Sequence, residues 1–345
     1  MSRGYFFLSA FSAVVLYTQT LNLWTADTES TGCDESDTID KRELSAPPSY
    51  IAPSHLDRID QDALPLDGSF EPSAIGYGVT IYVIDTGIHI THDQFDGRAV
   101  YAANGSSGDF IGDDWGKYKG ADDCIGHGTH VAGIAASMDY GVAPGAEIRA
   151  IRVCDCKGYC SSKSISRAIR WLTVNAQRPA VALMSIGVKD SPEVVNAVSD
   201  AAESGIVFVA AAGETLDDAC EFAPAGSEES ITVAAADKQD RQLSFSNVGS
   251  CIDLFAPGED VRAPSKRGDT QTMLRSGSSM AAAVVAGVAA LYMELFPNAS
   301  PYDVKQALIS QATQDAIQLT RKGSQNSTTR RMVSVQKMGI SADSQ

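Results

Sequence analysis

The chain has 345 residues, enough for one large domain with a full core or for two ordinary ones. Its 27 basic and 43 acidic side chains give a formal charge of −16, which counts against nucleic acid or an anionic membrane as partner and fits a solvated exterior.

In chain order, Arg3 precedes a mostly apolar stretch over residues 5–23, interrupted by Ser9, Ser12, Thr18 and Gln19, and an acidic run begins at Asp27. This predicts a secretory signal peptide over residues 1–26, with a signal anchor as the alternative because the stretch nearly reaches the length of a bilayer span. Residues 27–53 are polar, acidic and punctuated by Pro47, Pro48 and Pro53. They read as a linker or short pro-segment, in which Lys41-Arg42 is either a processing pair or two solvated charges.

From residue 54 the pattern changes. Short β-branched runs at 79–84, 147–153, 181–186, 206–212 and 230–235 lack strict alternation, as strands covered on both faces do. Helical patterns occupy 127–137, 162–177, 191–204 and 279–296. A last helix is expected from Ser300-Pro301, where a serine cap precedes proline and Asp303 favours the positive end of the dipole. The fold class predicted is α/β, a doubly wound and mostly parallel sheet with helices on both faces, over residues 54–313. A polar tail with a frayed far end is expected over 314–345. After the N-terminal stretch no run approaches a membrane span, since the apolar residues 281–291 cover only about half of one.

Ligands of such sheets gather at the carboxyl ends of the strands. There stands Asp85, in Asp85-Thr86-Gly87, where an apolar strand gives way to a turn; alone, it could be a turn former. His127 lies between Gly126 and Gly128 at the start of a small-residue helix, where a packed or capping imidazole is the alternative. Ser279, in Ser276-Gly277-Ser278-Ser279-Met280-Ala281, opens a long alanine-rich helix. Its position suits either a helix cap or a nucleophile with free N–H groups and a positive dipole end beside it. Together the three supply what acyl transfer by serine needs: a hydroxyl, an imidazole to take its proton and a carboxylate to orient the imidazole.

With these motifs, residues 53–312 resemble the subtilase family, in particular its proteinase K and aqualysin branch. Asp85 falls in the family's D-T-G, His127 in its H-G-T-H and Ser279 in its G-T-S-M-A, with Ser278 replacing the usual threonine. The chain order Asp, His, Ser is also the subtilisin order. Further matches are Leu56-Asp57-Arg58-Ile59-Asp60-Gln61, Leu64-Pro65-Leu66-Asp67-Gly68, Phe245-Ser246-Asn247 and Asp253-Leu254-Phe255-Ala256-Pro257-Gly258. The resemblance implies a subtilisin-like fold and a secreted serine endopeptidase with polypeptide as substrate. No cofactor is expected for catalysis, and the mature domain is expected to be a monomer free of the membrane. It also implies that substrate adds as a strand between Gly158, Tyr159, Cys160 and the segment holding Ser185, Gly187 and Val188, beside a pocket formed by Ala211, Ala212 and Gly213.

Several positions depart from the family pattern. Tyr159, Cys160 and Val188 stand where small residues are usual, and Ala282-Ala283-Val284 replaces Thr-Pro-His. Glu214 stands where an asparagine amide donates to the oxyanion; losing such a donor costs about a hundred- to thousand-fold in turnover. A protonated Glu214 could still donate. This substitution supports a second reading, a catalytically impaired subtilase that holds a peptide or protein without cleaving it. The segment before residue 54 is also shorter than the family's folded pro-domain.

Seven cysteines behind a signal peptide read as a disulfide framework with one left over. The resemblance implies the pairs Cys124 with Cys156 and Cys220 with Cys251. It leaves Cys154 and Cys160 as a third pair and Cys33 alone; a metal held by Cys154, Cys156 and Cys160 is the alternative. Sequons at Asn104, Asn298 and Asn326 agree with export. The branch also implies calcium for stability, with Asp253 a candidate ligand or an ordinary turn aspartate.

Overall fold

The computed structural model describes residues 51–104, 122–320, 328–336 and 338. The expected signal segment, Cys33, the Lys41-Arg42 pair, Asn326 and the end of the expected tail lie outside the described residues.

A one-turn helix, α1 (Ser54–Asp57), leads into the domain. Seven strands then build one sheet: β1 (Thr80–Asp85), β2 (Ala99–Asn104), β3 (Glu147–Arg152), β4 (Ala180–Met184), β6 (Ile206–Ala211), β8 (Ser230–Ala236) and β9 (Leu254–Pro257). Two antiparallel ribbons complete the strands: β5 (Val188–Lys189) with β7 (Phe222–Ala223), and β10 (Val261–Pro264) with β11 (Thr272–Arg275). The sheet runs β2-β3-β1-β4-β6-β8-β9, and every neighbouring pair is parallel. The chain passes from β1 to the edge strand β2, returns to β3 beside β1, and then builds outward on the other side through β4, β6, β8 and β9, so the crevice of this doubly wound sheet lies at the carboxyl ends of β1, β3 and β4.

The apolar strands are buried on both faces, as their unbroken runs predict. In β1, Ile81 and Val83 join one core and Tyr82 and Ile84 the other. The first core takes α2 (His127–Ala136), α5 (Ser278–Leu295) and α6 (Pro301–Gln311). The second takes α3 (Ser162–Asn175) and α4 (Pro192–Glu203). Helix α3 shows how: Ile165, Ala168, Ile169 and Leu172 recur at helical spacing and are all buried. Helix α5 is instead apolar on nearly all sides, and alanine and glycine let neighbours approach closely. A Cβ on Gly287 would lie 2.5 Å from Val142 Cβ and 2.9 Å from the Ala135 carbonyl. Although α5 is long and apolar enough to span a membrane, 78% of it is buried inside the domain, so its composition serves the core.

Both ends of the helical pattern are fixed by side chains. Ser300 Oγ accepts from Asp303 N at 3.2 Å while Asp303 Oδ2 accepts from Ser300 N at 3.1 Å, the capping box that Ser300-Pro301 foreshadows. Near the carboxyl end of α5, one oxygen of Glu294 accepts the N–H groups of Ile75, Gly76 and Tyr77 at 2.6–2.9 Å, gripping the turn that enters β1.

Two expectations are corrected. Strands β2 and β9 go unpredicted, because β2 is rich in alanine and changes register between Tyr101 and Ala103, and β9 has four residues and ends on Pro257. The expected tail also belongs in part to the packed domain: Ile317, Met332, Val333 and Val335 are buried. Phe255 N donates to Arg331 O at 2.7 Å and Val333 N to Phe255 O at 2.9 Å, extending the pairing beyond β9. Backbone pairing of this kind leaves no periodicity, and the few apolar residues sit in a polar context.

Two of the buried histidines are held neutral by the fold. His55 Nε2 lies 2.9 Å from the Tyr140 carbonyl, and burial lowers its pKa from 6.5 to about 4. Burial, with Arg275 adding repulsion, lowers His130 to about 3. Both are neutral in the folded protein, whereas the unfolded chain takes up protons near pH 6.5. Stability is therefore fully present above pH 6.5 and is lost as pH falls towards 4, by about 1.4 kcal/mol per unit for each histidine. Urea midpoints at pH 7 and pH 5 should show the fall, and His55→Gln should reduce it; an unchanged fall in that variant would refute the assignment.

Candidate active site

Asp85 is the last residue of β1 and fully buried. Thr86 N donates to its Oδ1 at 2.7 Å. His127 begins α2, and Gly126 before it has φ +95°, a left-handed turn that glycine adopts without strain. A Cβ on Gly128 would lie 2.1 Å from the Gly87 carbonyl, so only glycine lets the helix start meet the turn after β1. This approach sets His127 Nδ1 at 2.8 and 2.9 Å from the two oxygens of Asp85. A carboxylate only accepts, so Nδ1 carries the proton and the neutral ring presents Nε2 as base. Burial works against the imidazolium, but the Asp85 carboxylate outweighs it and the His127 pKa is raised above 6.5.

Asp123 organises this start and was not singled out from sequence. Its Oδ1 accepts from Thr86 Oγ1, Ile125 N and Gly126 N at 2.6–3.0 Å, and its Oδ2 from Thr129 N and Oγ1 at 2.9 and 2.6 Å. The signal available was an aspartate three residues before the Gly126-His127 turn, where a side chain can satisfy the open N–H groups of a helix start.

Ser279 is the second residue of α5. Its hydroxyl donates to Ser185 O at 3.2 Å, and Ser185 Oγ donates to Ser279 O at 3.1 Å, locking the nucleophile candidate to the segment after β4. In this resting arrangement the hydroxyl faces Ser185, and it has to rotate to reach an imidazole; loose geometry of this kind is common before substrate binds.

Glu214 follows β6 and turns its carboxylate into the start of α5. Its Oε1 accepts Ser278 N–H at 2.8 Å and lies 3.4 Å from Ser278 Oγ. Burial raises its pKa above 4.5, against the opposing pull of the Ser278 N–H, the charge of His127 and the Ser279 N–H. The side chain therefore caps the helix as an acceptor and points at the group expected to carry the nucleophile. Asn247, quoted from sequence without a role, holds the same loop: Nδ2 donates to Ala212 O, and Oδ1 accepts from Thr215 N and Asp217 N, at 2.9–3.1 Å.

The expected pocket residues lie beside this loop, with Ala212 buried, Ala211 half-buried and Gly213 at φ +98°. Ser185 touches Ser279 directly, while Val188, further along that segment, already pairs with Ala223 of β7. Gly158, Tyr159 and Cys160 sit in a tight turn in which Gly158 N donates to Asp155 O and Asp155 N to Tyr159 O, with Tyr159 exposed.

Three disulfides join Cys124 to Cys156, Cys154 to Cys160 and Cys220 to Cys251. The metal alternative for Cys154, Cys156 and Cys160 is thereby corrected, since a thiolate tied up in a disulfide is no zinc ligand. Arg152 Nη2 lies 3.1 and 3.0 Å from the sulfurs of Cys124 and Cys156, joining that bridge to the end of β3. Asp253 does not suit calcium either: Lys305 Nζ lies 3.0 Å from its Oδ2, which also accepts Thr232 N at 2.9 Å, so an ammonium stands where the cation would. Asn298 is exposed at the turn before α6.

Comparison with known proteins gives a consistent picture. The model of the subtilase family matches residues 76–332. An extracellular serine proteinase of Thermus sp. (strain Rt41A) is 42% identical over 271 residues, covering 79% of this chain and 64% of that protein. Alkaline serine exoprotease A of Vibrio alginolyticus is 42% identical over 266 residues, 77% of this chain and 48% of that one. The chain thus spans about half to two thirds of the length of these curated relatives. Among solved structures, a cold adapted subtilisin-like serine proteinase superposes with a TM-score of 0.74 at 37% identity, over 82% of this chain and 98% of that one.

Proposed function

Because the chain belongs to the subtilase family of serine proteases and has its fold, we propose that it is a secreted endopeptidase that cleaves polypeptide through an acyl-enzyme on Ser279. The observation that carries this reading is the buried His127–Asp85 pair, with Nδ1 held at 2.8 Å and Nε2 left as base.

Ser279 Oγ leaves Ser185 O and gives its proton to His127 Nε2 as it attacks the scissile carbonyl. Asp85 stabilises the imidazolium, which then protonates the leaving amine; water reverses the sequence to free the acid. The oxyanion forms at the start of α5, where the helix dipole favours negative charge and where it competes with the Glu214 carboxylate for the backbone N–H groups. Small residues at Ala211, Ala212 and Gly213 leave room for an apolar side chain before the cut. Three disulfides and one relative described as extracellular support export.

A fluorophosphonate probe, which reacts only with an activated serine, is expected to label the folded protein at Ser279, as peptide mapping would reveal. Labelling should fall as pH is lowered through the raised His127 pKa, because the imidazolium cannot take the serine proton. A folded protein left unlabelled between pH 6 and pH 9, or labelled elsewhere, would refute the reading.

A further inference from the structure

Arg275 ends β11, half-buried, and its guanidinium reaches the turn before the catalytic histidine. A Cβ on Gly126 would lie 3.7 Å from its Nη2. Its Nε is buried without a hydrogen-bond partner, and no carboxylate among the described residues pairs with it. The two acids whose fields it feels, Asp123 and Asp85, are already committed. Asp85 holds His127 and Thr86 N, and Asp123 accepts five donors. A partly buried cation without a partner is costly to keep, and a planar guanidinium is suited to a carboxylate.

Its position says where that carboxylate comes from. The pocket after β6 adjoins the start of α5, where Gly213 N donates to Ser278 Oγ at 3.1 Å. The ribbon bearing Arg275 packs instead against α2, where His130 Nε2 donates to Met273 O at 3.2 Å, and Lys266 Nζ in its loop donates to Cys124 O at 2.5 Å. That is the side of His127, the group that protonates the departing amine. Resting on the serine-protease reading, we infer that Arg275 is a specificity-determining residue that takes a substrate carboxylate on the leaving-group side of the scissile bond. The carboxylate is supplied either by an Asp or Glu side chain just after the bond or by the free C-terminus of a short leaving peptide.

Wild type, Arg275→Gln and Arg275→Lys would each be given the same denatured proteins, and the residues flanking every cut read by mass spectrometry. Wild type should favour Asp over Asn, and Glu over Gln, after the cut by about ten-fold. The preference should vanish in Arg275→Gln, persist in part in Arg275→Lys, weaken in high salt and leave the residues before the cut unaltered. A second arm compares short peptides with free and amidated C-termini; a preference for the free form alone assigns the site to the terminal carboxylate. Equal use of acid and amide in both arms overturns the inference. If no protein is cut at all, the protease reading itself fails, and Arg275 is judged by the affinity of the same peptides for Ser279→Ala. An acid-over-amide preference lost on adding Arg275→Gln sustains the inference, and equal or absent binding refutes it.

Discussion

Replacing Ser279 with alanine is expected to lower turnover of a cleavable peptide about a million-fold, the scale on which a triad loses its function when the nucleophile goes. The change removes one oxygen and one hydrogen bond, to Ser185 O at 3.2 Å. It leaves α5 buried and its start still capped through Ser278 N. The urea midpoint should therefore move by less than about 1 kcal/mol-equivalent, the ordinary range for a substitution without a packing consequence. Further loss of His127 or Asp85 should then cost little, because the three act as a unit. The measurement is kcat on one peptide for the single and combined variants. A Ser279→Ala protein within ten-fold of wild type would dismiss Ser279 as nucleophile.

Replacing Glu214 with asparagine is expected to raise kcat about a hundred- to thousand-fold, on the order of 3 to 4 kcal/mol of transition-state stabilisation, with KM little changed. The wild-type carboxylate accepts from the start of α5, and an ionised carboxylate opposes the negative charge of a tetrahedral intermediate; an amide can donate to it. The sign with pH follows. Burial places the Glu214 pKa above 4.5, and a protonated Glu214 can donate, so the penalty shrinks as pH falls through that value. His127, with its own pKa raised, loses its function as base in the same direction. The wild-type profile should accordingly be narrower than that of Glu214→Asn and displaced to lower pH, with the largest gain in the alkaline range. An asparagine variant no faster than wild type at any pH would remove Glu214 from the oxyanion position.

The sequence was most legible where one residue type serves one geometric need. The apolar runs identify the inner strands because both their faces are buried, and the small residues around His127 and Ser279 mark places where backbone must come close. Less legible were features that depend on who sits opposite. The pairing of residues 331–333 with Phe255 uses backbone groups that any sequence carries. The five donors converging on Asp123 come from four residues, Thr86, Ile125, Gly126 and Thr129, and only folding brings Thr86 to it. Glu214 is recognisably unusual in the sequence, but only the fold sets it as acceptor at the start of α5, and only the fold brings the Lys305 ammonium to Asp253.

Glu294 gives the site a reach well beyond its own residues. It lies near the far end of α5, about 24 Å from Ser278 at the rise of an α-helix, yet it holds the turn from which β1 departs. The strand bearing Asp85 and the helix bearing Ser279 are thus two struts of one frame, tied at the end remote from the crevice and each packed again against α2, the helix that His127 begins. Their relative alignment is set by leverage over the whole domain, and a slackened knot at Glu294 is felt as misregistration at the opposite corner.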